Sequence, residues 1–407
     1  MRTLDPFLID QDVTAAVDSV LRDILGRRQK EAEAVDSLFA ADIADRVARF
    51  TLRGGRRLRP QFVWWGMRAC GGDAAVADVT LQVAGALELV QTCALIQDDV
   101  MDGSPLRRGR PSVHVDIDAQ YGTQGRERPC GTFGRAAAVL AGDLALAWAD
   151  DSFAEAMTGT PSAGPATALW RAMRTEMVAG QYLDLHAQAT ADHSPAQAVR
   201  AAMLKTATYS VERPLMLGAT LAGGSATAVG ALGEVGREAG VAFQLHDDLQ
   251  GAFGDADATG KSAGEDLRGG KSTYLLAVAR ERCEARGDRV GIRVLDRVLG
   301  ARSAVAEEEV AEEEVAEEEV AEEEVQRVLE LLVTSGARDR VVEQVEQLCS
   351  RSEDALERAD LDPAATARIG RLLREACGRS GGNGAQRVPG SGPVRAGTEG
   401  ARIGGVR

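Results

Sequence analysis

The chain has 407 residues, 44% of them hydrophobic, so it holds enough apolar material for a sizeable core and is not a disordered protein. Aromatics make up only 4% while alanine and leucine abound, which favours helices over strands. A net charge of −15 argues against nucleic acid as a partner, although twelve glutamates sit in four tandem AEEEV units at 306–325 and the remainder carries only −3.

In chain order, residues 1–30 read as an N-terminal segment; its start, MRTLDPFLIDQD, carries acids and no apolar run, so no secretory signal is expected. A helical pattern runs from about Ala32 into Leu52 and stops at Gly54-Gly55. Pro60, suited to a first helical turn, opens the next, which stops at Gly71-Gly72. A long apolar helix covers roughly Ala75 to Met101, and further patterns cover about 133–158, 165–190, 195–220, 225–253, 270–284 and 338–359. No stretch approaches ~20 uninterrupted apolar residues, so no membrane-spanning helix is predicted. Long helices joined by short loops, without a strand alternation, predict one all-α bundle over 31–377. Within it the AEEEV valines recur every five residues, rotating by ~140° on a helix, so no apolar stripe forms and 306–325 reads as a solvated insertion. The Gly/Arg-rich stretch 378–407 reads as a disordered tail. Cysteines at 70, 93, 130, 283, 349 and 377 form no C-x-x-C pair, which predicts reduced thiols in a cytoplasm rather than a disulfide framework or zinc site.

Two acidic clusters end otherwise apolar helices. In Gln97-Asp98-Asp99-Val100-Met101-Asp102, Asp98 and Asp102 are four apart and share a helical face. The second is Gln244-Leu245-His246-Asp247-Asp248. Carboxylates beside an apolar interior are costly unless paired or metal-bound, and oxygen-only donors favour Mg²⁺ over zinc. Cations interleave with these acids. Arg56, Arg57 and Arg59 lie in a loop at a helix start, where free N–H groups also attract anions. Arg107 and Arg108 follow the first cluster, Lys205-Thr206 lies on a helix, and Lys261 and Lys271 follow the second cluster. Such an arrangement suits a polyanionic substrate, with metals bridging carboxylate to phosphate and Arg or Lys neutralising the rest. None of the four histidines lies three residues after a Glu, which excludes a di-iron bundle. His114, His186 and His193 read as loop or surface residues, and His246 as a group that orients a carboxylate.

With GGRRLRP at 54–60, DDVMD at 98–102, GQYLD at 180–184, DDLQG at 247–251 and GGK at 269–271, the sequence resembles the trans-polyprenyl diphosphate synthase family, which includes farnesyl and geranylgeranyl diphosphate synthases. The resemblance implies a single helical bundle of the isoprenoid synthase type around an apolar cavity, a homodimer, and three Mg²⁺ per active site. It further implies condensation of isopentenyl diphosphate with an allylic diphosphate. Asp98 and Asp102, supported by Asp99, would bind Mg²⁺ shared with the allylic diphosphate; Asp247, with Asp248 beside it, would hold a third ion. Arg107, Lys205, Thr206, Gln244, Lys261 and Lys271 would contact the allylic diphosphate, and Arg56, Arg59, Gln91 and Arg108 isopentenyl diphosphate. Gln181 and Asp184 match a further family element lining the same cavity. Two positions depart from the pattern: Arg56 stands where the family usually has lysine, and Gly251 where it usually has aspartate.

A class I terpene cyclase shares the first motif, but needs no second diphosphate site and usually carries N-x-x-x-S-x-x-x-E as its second motif. A non-catalytic subunit of a heteromeric synthase tends to lose the first aspartate cluster, which is whole here. Product length is expected from the helix carrying Asp98. Ala94 and Cys93, four and five residues earlier, lie about one turn deeper, where farnesyl-producing relatives often place bulky aromatics. Their small size predicts a floor open past about fifteen carbons, with Leu87 closing it near about twenty, beside Val90 and Ala86, which implies geranylgeranyl diphosphate. Phe133, Leu140 and Leu144 are candidates for the opposing wall.

Overall fold

Helix starts follow the short polar side chains of the sequence. Asp12, Asp73, Ser225 and Asp362 each accept a hydrogen bond from a backbone N–H in the first turn of the helix that follows. The computed structural model describes residues 5–122, 132–190, 194–254, 264–268, 271, 273–308 and 322–379. Helices α1 (Pro6–Gln11) and α2 (Val13–Val35) lead to α3 (Ser37–Phe39), a π-helical turn (Ala40–Ala44) and α4 (Asp45–Leu52). Then come α5 (Leu58–Ala69), α6 (Ala74–Met101), an antiparallel pair of two-residue strands, β1 (Leu106–Arg107) and β2 (Arg110–Pro111), and α7 (Val113–Gly122). Helices α8 (Thr132–Met157), α9 (Ala163–Thr190) and α10 (Pro195–Ala202) precede a π-helical stretch (Met203–Glu212), α11 (Arg213–Leu221) and α12 (Ala226–Phe253). The remainder is α13 (Glu265–Arg268), α14 (Tyr274–Arg286), α15 (Arg289–Glu308), α16 (Glu322–Thr334), α17 (Ala337–Arg358) and α18 (Pro363–Ala376).

The larger core gathers α2, α5, α6, α8, α9 and α11 around Phe62, Trp64, Leu87 and Trp170; a second joins the end of α12 to α14–α17. Helix α6 is long and apolar enough to cross a membrane by length and composition, but 72% of its most apolar window is buried in the protein, as for a core helix.

Several elements differ from the sequence reading. The expected helix from Ala32 to Leu52 breaks at Asp36, whose carboxylate caps the next turn by accepting from the Phe39 N–H. Upstream, α2 is a full helix because Val17, Leu21, Ile24 and Leu25 recur at helical spacing and are all buried. The expected helix over 195–220 carries a π-helical stretch in its middle. Residues 289–308 and 363–376, for which no helix is expected, form α15 and α18. The acidic insertion is shorter than 306–325: Glu322–Val325 belong to the first turn of α16, and Val325 is 1% exposed, packed in the second core cluster. Residues 309–321 and the tail from 380 lie outside the described residues. His114 is not at the surface but buried in α7, its Nδ1 3.1 Å from Ser112 Oγ. His186 is exposed on α9, and His193 lies outside the described residues.

Candidate active site

The last two turns of α6 bring Asp98, Asp99 and Asp102 to the helix end, where cations from three other segments meet them. Lys205 Nζ donates to Asp98 Oδ1 at 3.2 Å and to Asp184 Oδ2 on α9 at 2.9 Å. Gln181, one turn before Asp184, donates to Asp98 Oδ1 at 3.3 Å. Arg107 on β1 donates through Nε to Asp99 Oδ1 at 2.7 Å and through Nη2 to Asp98 Oδ2 at 3.3 Å. Lys271 Nζ lies 3.0 Å from Asp102 Oδ2.

Burial by itself would push the Asp98 carboxyl up, but Lys205, Lys271 and Arg107 hold it below the usual carboxylate range. Burial likewise opposes the charge on Lys205, and Asp184 and Asp98 more than offset it, raising its pKa. Asp99 is fully buried, and desolvation raises its carboxyl despite Arg107; its Oδ2 has no hydrogen-bond partner among the described residues. Lys205 stands in the π-helical stretch, a geometry frequent at functional sites. Gly180 makes room for that stretch: a Cβ there would overlap the Lys205 backbone nitrogen. Thr206, the next residue, is half-buried.

On α12, Gln244 Nε2 donates to Asp248 Oδ1 at 2.8 Å; Asp248 is buried, while Asp247 is exposed. Burial lowers the pKa of the adjoining His246; Asp247 opposes that and Arg56 adds to it. Position 251, where a further carboxylate was absent from the sequence, is a buried glycine whose carbonyl accepts from Gly264 N at 3.0 Å. Lys261 lies outside the described residues.

The arginine loop links α4 to α5. Arg59 Nη2 donates to Ser210 Oγ at 2.7 Å and its guanidinium stacks 4.4 Å over the Tyr209 ring, while its buried Nε has no partner among the described residues. Tyr209 in turn donates to Gln91 Oε1 on α6 at 2.8 Å. Arg108 has a left-handed backbone, φ 54°. Its pKa is lowered, first by burial and then by Arg57, Arg107 and Arg59, against the opposing pull of Glu88. Among the described residues, Arg56, Arg59 and Arg108 enter no salt bridge, whereas Arg57 is buried between Asp18 and Glu88. The sequence does not single out Tyr209, Ser210, Asp18 or Glu88; Tyr209, Ser210 and Glu88 are ordinary residues within a helical pattern, Asp18 lies in the N-terminal segment, and only the packing shows their neighbours.

Deeper on α6, Cys93 and Leu87 are buried and Ala94 is half-buried. Desolvation, with the Asp143 carboxylate on α8 adding to it, pushes the Cys93 thiol up to about 12. Of the expected opposing wall only Leu144 packs against the core. Phe133 and Leu140 are 45% and 63% exposed on the outer face of α8, so they do not close a cavity inside this chain.

The polyprenyl synthetase family model matches residues 41–317, a span that includes the arginine loop, both aspartate clusters, Gln181, Asp184 and Lys205. The chain belongs to this family. It is 29% identical to a short chain isoprenyl diphosphate synthase of Methanothermobacter thermautotrophicus, over 64% of this chain and 77% of that one. It is also 29% identical to a geranylfarnesyl diphosphate synthase of Aeropyrum pernix, over 79% and 87%. Among solved structures, a geranylgeranyl pyrophosphate synthase from Corynebacterium glutamicum, complexed with isoprenyl diphosphate and magnesium, superposes with a TM-score of 0.79. It shares 32% identity and covers 89% of this chain and 98% of its own. As a member of the polyprenyl synthetase family the protein is a prenyltransferase with the all-α isoprenoid synthase fold, a trans-prenyl diphosphate synthase.

Proposed function

We propose that the protein is a Mg²⁺-dependent geranylgeranyl diphosphate synthase that adds isopentenyl diphosphate to an allylic diphosphate, working as a homodimer in the cytoplasm. The observation that carries the reading is the contrast between two anion sites: carboxylates interleaved with cations around Asp98, and arginines without carboxylate partners among the described residues around Arg59 and Arg108. The first suits a diphosphate bridged by metal, the second a diphosphate bound directly.

The donor set fits Mg²⁺: Asp98 and Asp102 offer oxygens from one helix face, Asp247 is exposed on α12 next to the buried Asp248, and Lys205, Arg107 and Lys271 on Asp98 and Asp102 are cations that a metal can replace. Three bound Mg²⁺ would supply Lewis-acid stabilisation of the diphosphate as its C–O bond ionises. Lys205 and Arg107 add fixed positive charge at the same place, already oriented by Asp184 and Asp99. Gln181 and Asp184 steady Asp98 and Lys205; Thr206 and Gln244 direct dipoles towards the developing allylic cation, with Lys261 and Lys271 completing the allylic diphosphate's contacts. Arg56, Arg59, Gln91 and Arg108 hold isopentenyl diphosphate. The apolar interior excludes water from the cation.

The dimer reading draws support from exposed apolar side chains on α8 and α9. Phe133 and Leu140, seven residues apart, and Val178 and Tyr182, four apart, are all exposed. The product reading rests on Cys93 and Ala94, both small, above the buried Leu87. The test is chromatography of hydrolysed products formed with Mg²⁺, labelled isopentenyl diphosphate and each allylic starter. Geranylgeraniol is expected from the native protein, and a shift towards farnesol from Cys93→Phe combined with Ala94→Phe. A native product stopping at farnesol, or an unchanged product from the doubly substituted chain, overturns the chain-length assignment.

A further inference from the structure

The arginine that shapes the anion loop is one that cannot touch the anion. Arg57 lies between Arg56 and Arg59, yet its side chain is 3% exposed and all three donor groups are engaged. Nε donates to Asp18 Oδ1 on α2 at 3.0 Å, Nη1 to Glu88 on α6, and Nη2 to the carbonyl of Thr51 in the last turn of α4 at 2.9 Å. The Thr51 carbonyl is one of those a helix end leaves without an intrahelical partner, so Arg57 caps α4. The same residue stands at the N-cap of α5 in the left-handed region, φ 49° and ψ 40°, with no side-chain cap, and its carbonyl accepts the first helical bond, from Gln61 N at 3.1 Å. Its guanidinium folds back beneath Gly54, where a Cβ would collide with it. A left-handed arginine is unfavourable unless its surroundings hold it there, and here two carboxylates and a carbonyl do so.

From this geometry we infer that Arg57, pinned by Asp18 and Glu88, is the positioning residue of the isopentenyl diphosphate loop. It fixes the turn on which Arg56 and Arg59 are displayed, and absorbs the two carboxylates that would otherwise compete for those arginines. Glu88 also tempers the charge repulsion on Arg108, so one buried acid serves both sides of the loop. Asp18 comes from α2, ahead of the residues matched by the family model, so the Asp18–Arg57 ion pair ties the N-terminal helix to the loop. The inference rests on the proposed assignment of Arg56, Arg59 and Arg108 to isopentenyl diphosphate.

The test measures KM for each substrate, kcat and thermal midpoint for the full chain carrying Asp18→Asn, Asp18→Glu, Arg57→Gly with Glu88→Gln, or Arg108→Ala. Glycine keeps the left-handed turn accessible while removing the guanidinium, and the accompanying Glu88→Gln change avoids leaving a buried carboxylate unpaired. Asp18→Asn should raise KM for isopentenyl diphosphate about tenfold while KM for the allylic diphosphate and kcat stay within about twofold, the signature of lost ground-state binding of one substrate. Asp18→Glu should restore the native KM, and the Arg57 variant should exceed Asp18→Asn. A merely structural role would lower the thermal midpoint without separating the two KM values. Asp18 is a third exposed, so its variants decide the matter whether or not the buried double variant folds. If Arg108→Ala raises KM for isopentenyl diphosphate and Asp18→Asn does not, or if both KM values rise together in Asp18→Asn, the positioning role is overturned and the assignment of the loop stands. If Arg108→Ala is silent as well, the loop assignment fails and takes this inference with it.

Discussion

The end of α6 and the α4–α5 loop are both rich in charge, but they handle it in opposite ways. Around Asp98 cations and acids alternate: Lys205 bridges Asp98 and Asp184, Arg107 bridges Asp98 and Asp99, and Lys271 meets Asp102. In the loop a single arginine takes both nearby carboxylates, and Arg56, Arg59 and Arg108 keep their charge without a carboxylate partner among the described residues. On the proposed function, the difference teaches how one protein can distinguish two diphosphates. A balanced wall binds a further anion well only when divalent cations add positive charge, whereas an unbalanced cluster is ready for an anion without them.

The severest way to break the comparison is at the balanced wall. Asp98→Ala and Asp247→Ala should each lower kcat by at least ~100-fold, Asp98 more than Asp247, because a ligand acting in the transition state is lost. Near-normal turnover of Asp98→Ala at saturating Mg²⁺ would remove the first aspartate cluster from the mechanism. Next, Arg108→Ala should raise KM for isopentenyl diphosphate by ~10-fold or more with a far smaller change in kcat, a pattern steady-state kinetics resolves.

The contrast is sharpened by calorimetry with and without a chelator. Removing Mg²⁺ should abolish binding of an unreactive allylic diphosphate analogue and leave isopentenyl diphosphate binding in place. Equal loss of both would mean the two sites are not electrostatically distinct.

The smallest effect concerns pH. The folded-state pKa of Asp98 is depressed below 3.8, so its stabilisation is present above that ordinary value and is lost only as pH falls through the depressed one. That of Lys205 is raised above 10.5, so its stabilisation is complete below 10.5 and is lost only as pH rises through the raised one. Between pH 5 and 9 neither changes. Lys205→Gln should therefore shift the thermal midpoint by a similar few degrees at both ends of that range. A shift present at one end and absent at the other would show that the pair titrates within it.

Much of this was legible in the sequence because the signals were local. Asp98 and Asp102 share a face by their spacing alone, and the apolar run before them identifies a core helix. The motifs at 54–60 and 247–251 carried the family, which the match over 41–317 bears out. What stayed hidden depended on partners distant in sequence. Nothing near Arg57 announces that Asp18 and Glu88 will close on it, and nothing near Tyr209 points to Gln91. His114 was misplaced because its burial depends on how α7 packs. Asp36 broke an otherwise continuous pattern because a short side chain that can cap the next turn also ends the one before it. Val325 escaped because the repeat itself shows no stripe; its burial comes from Val328 and Leu332 downstream, with which it shares a helical face.

The π-helical stretch of 203–212 carries a consequence for the spacing of the two substrates. Its hydrogen bonds span five residues instead of four, so residues five apart lie closer to one face than they do in an α-helix. Lys205 and Ser210 are such a pair: the first reaches Asp98, the second Arg59. In an ordinary α-helix the same two residues would diverge by ~140°. On the proposed assignment, the pitch of one helical stretch thus acts as a ruler between the two diphosphate positions, and inserting or deleting a single residue within it would change that interval while leaving every side chain of the motif intact.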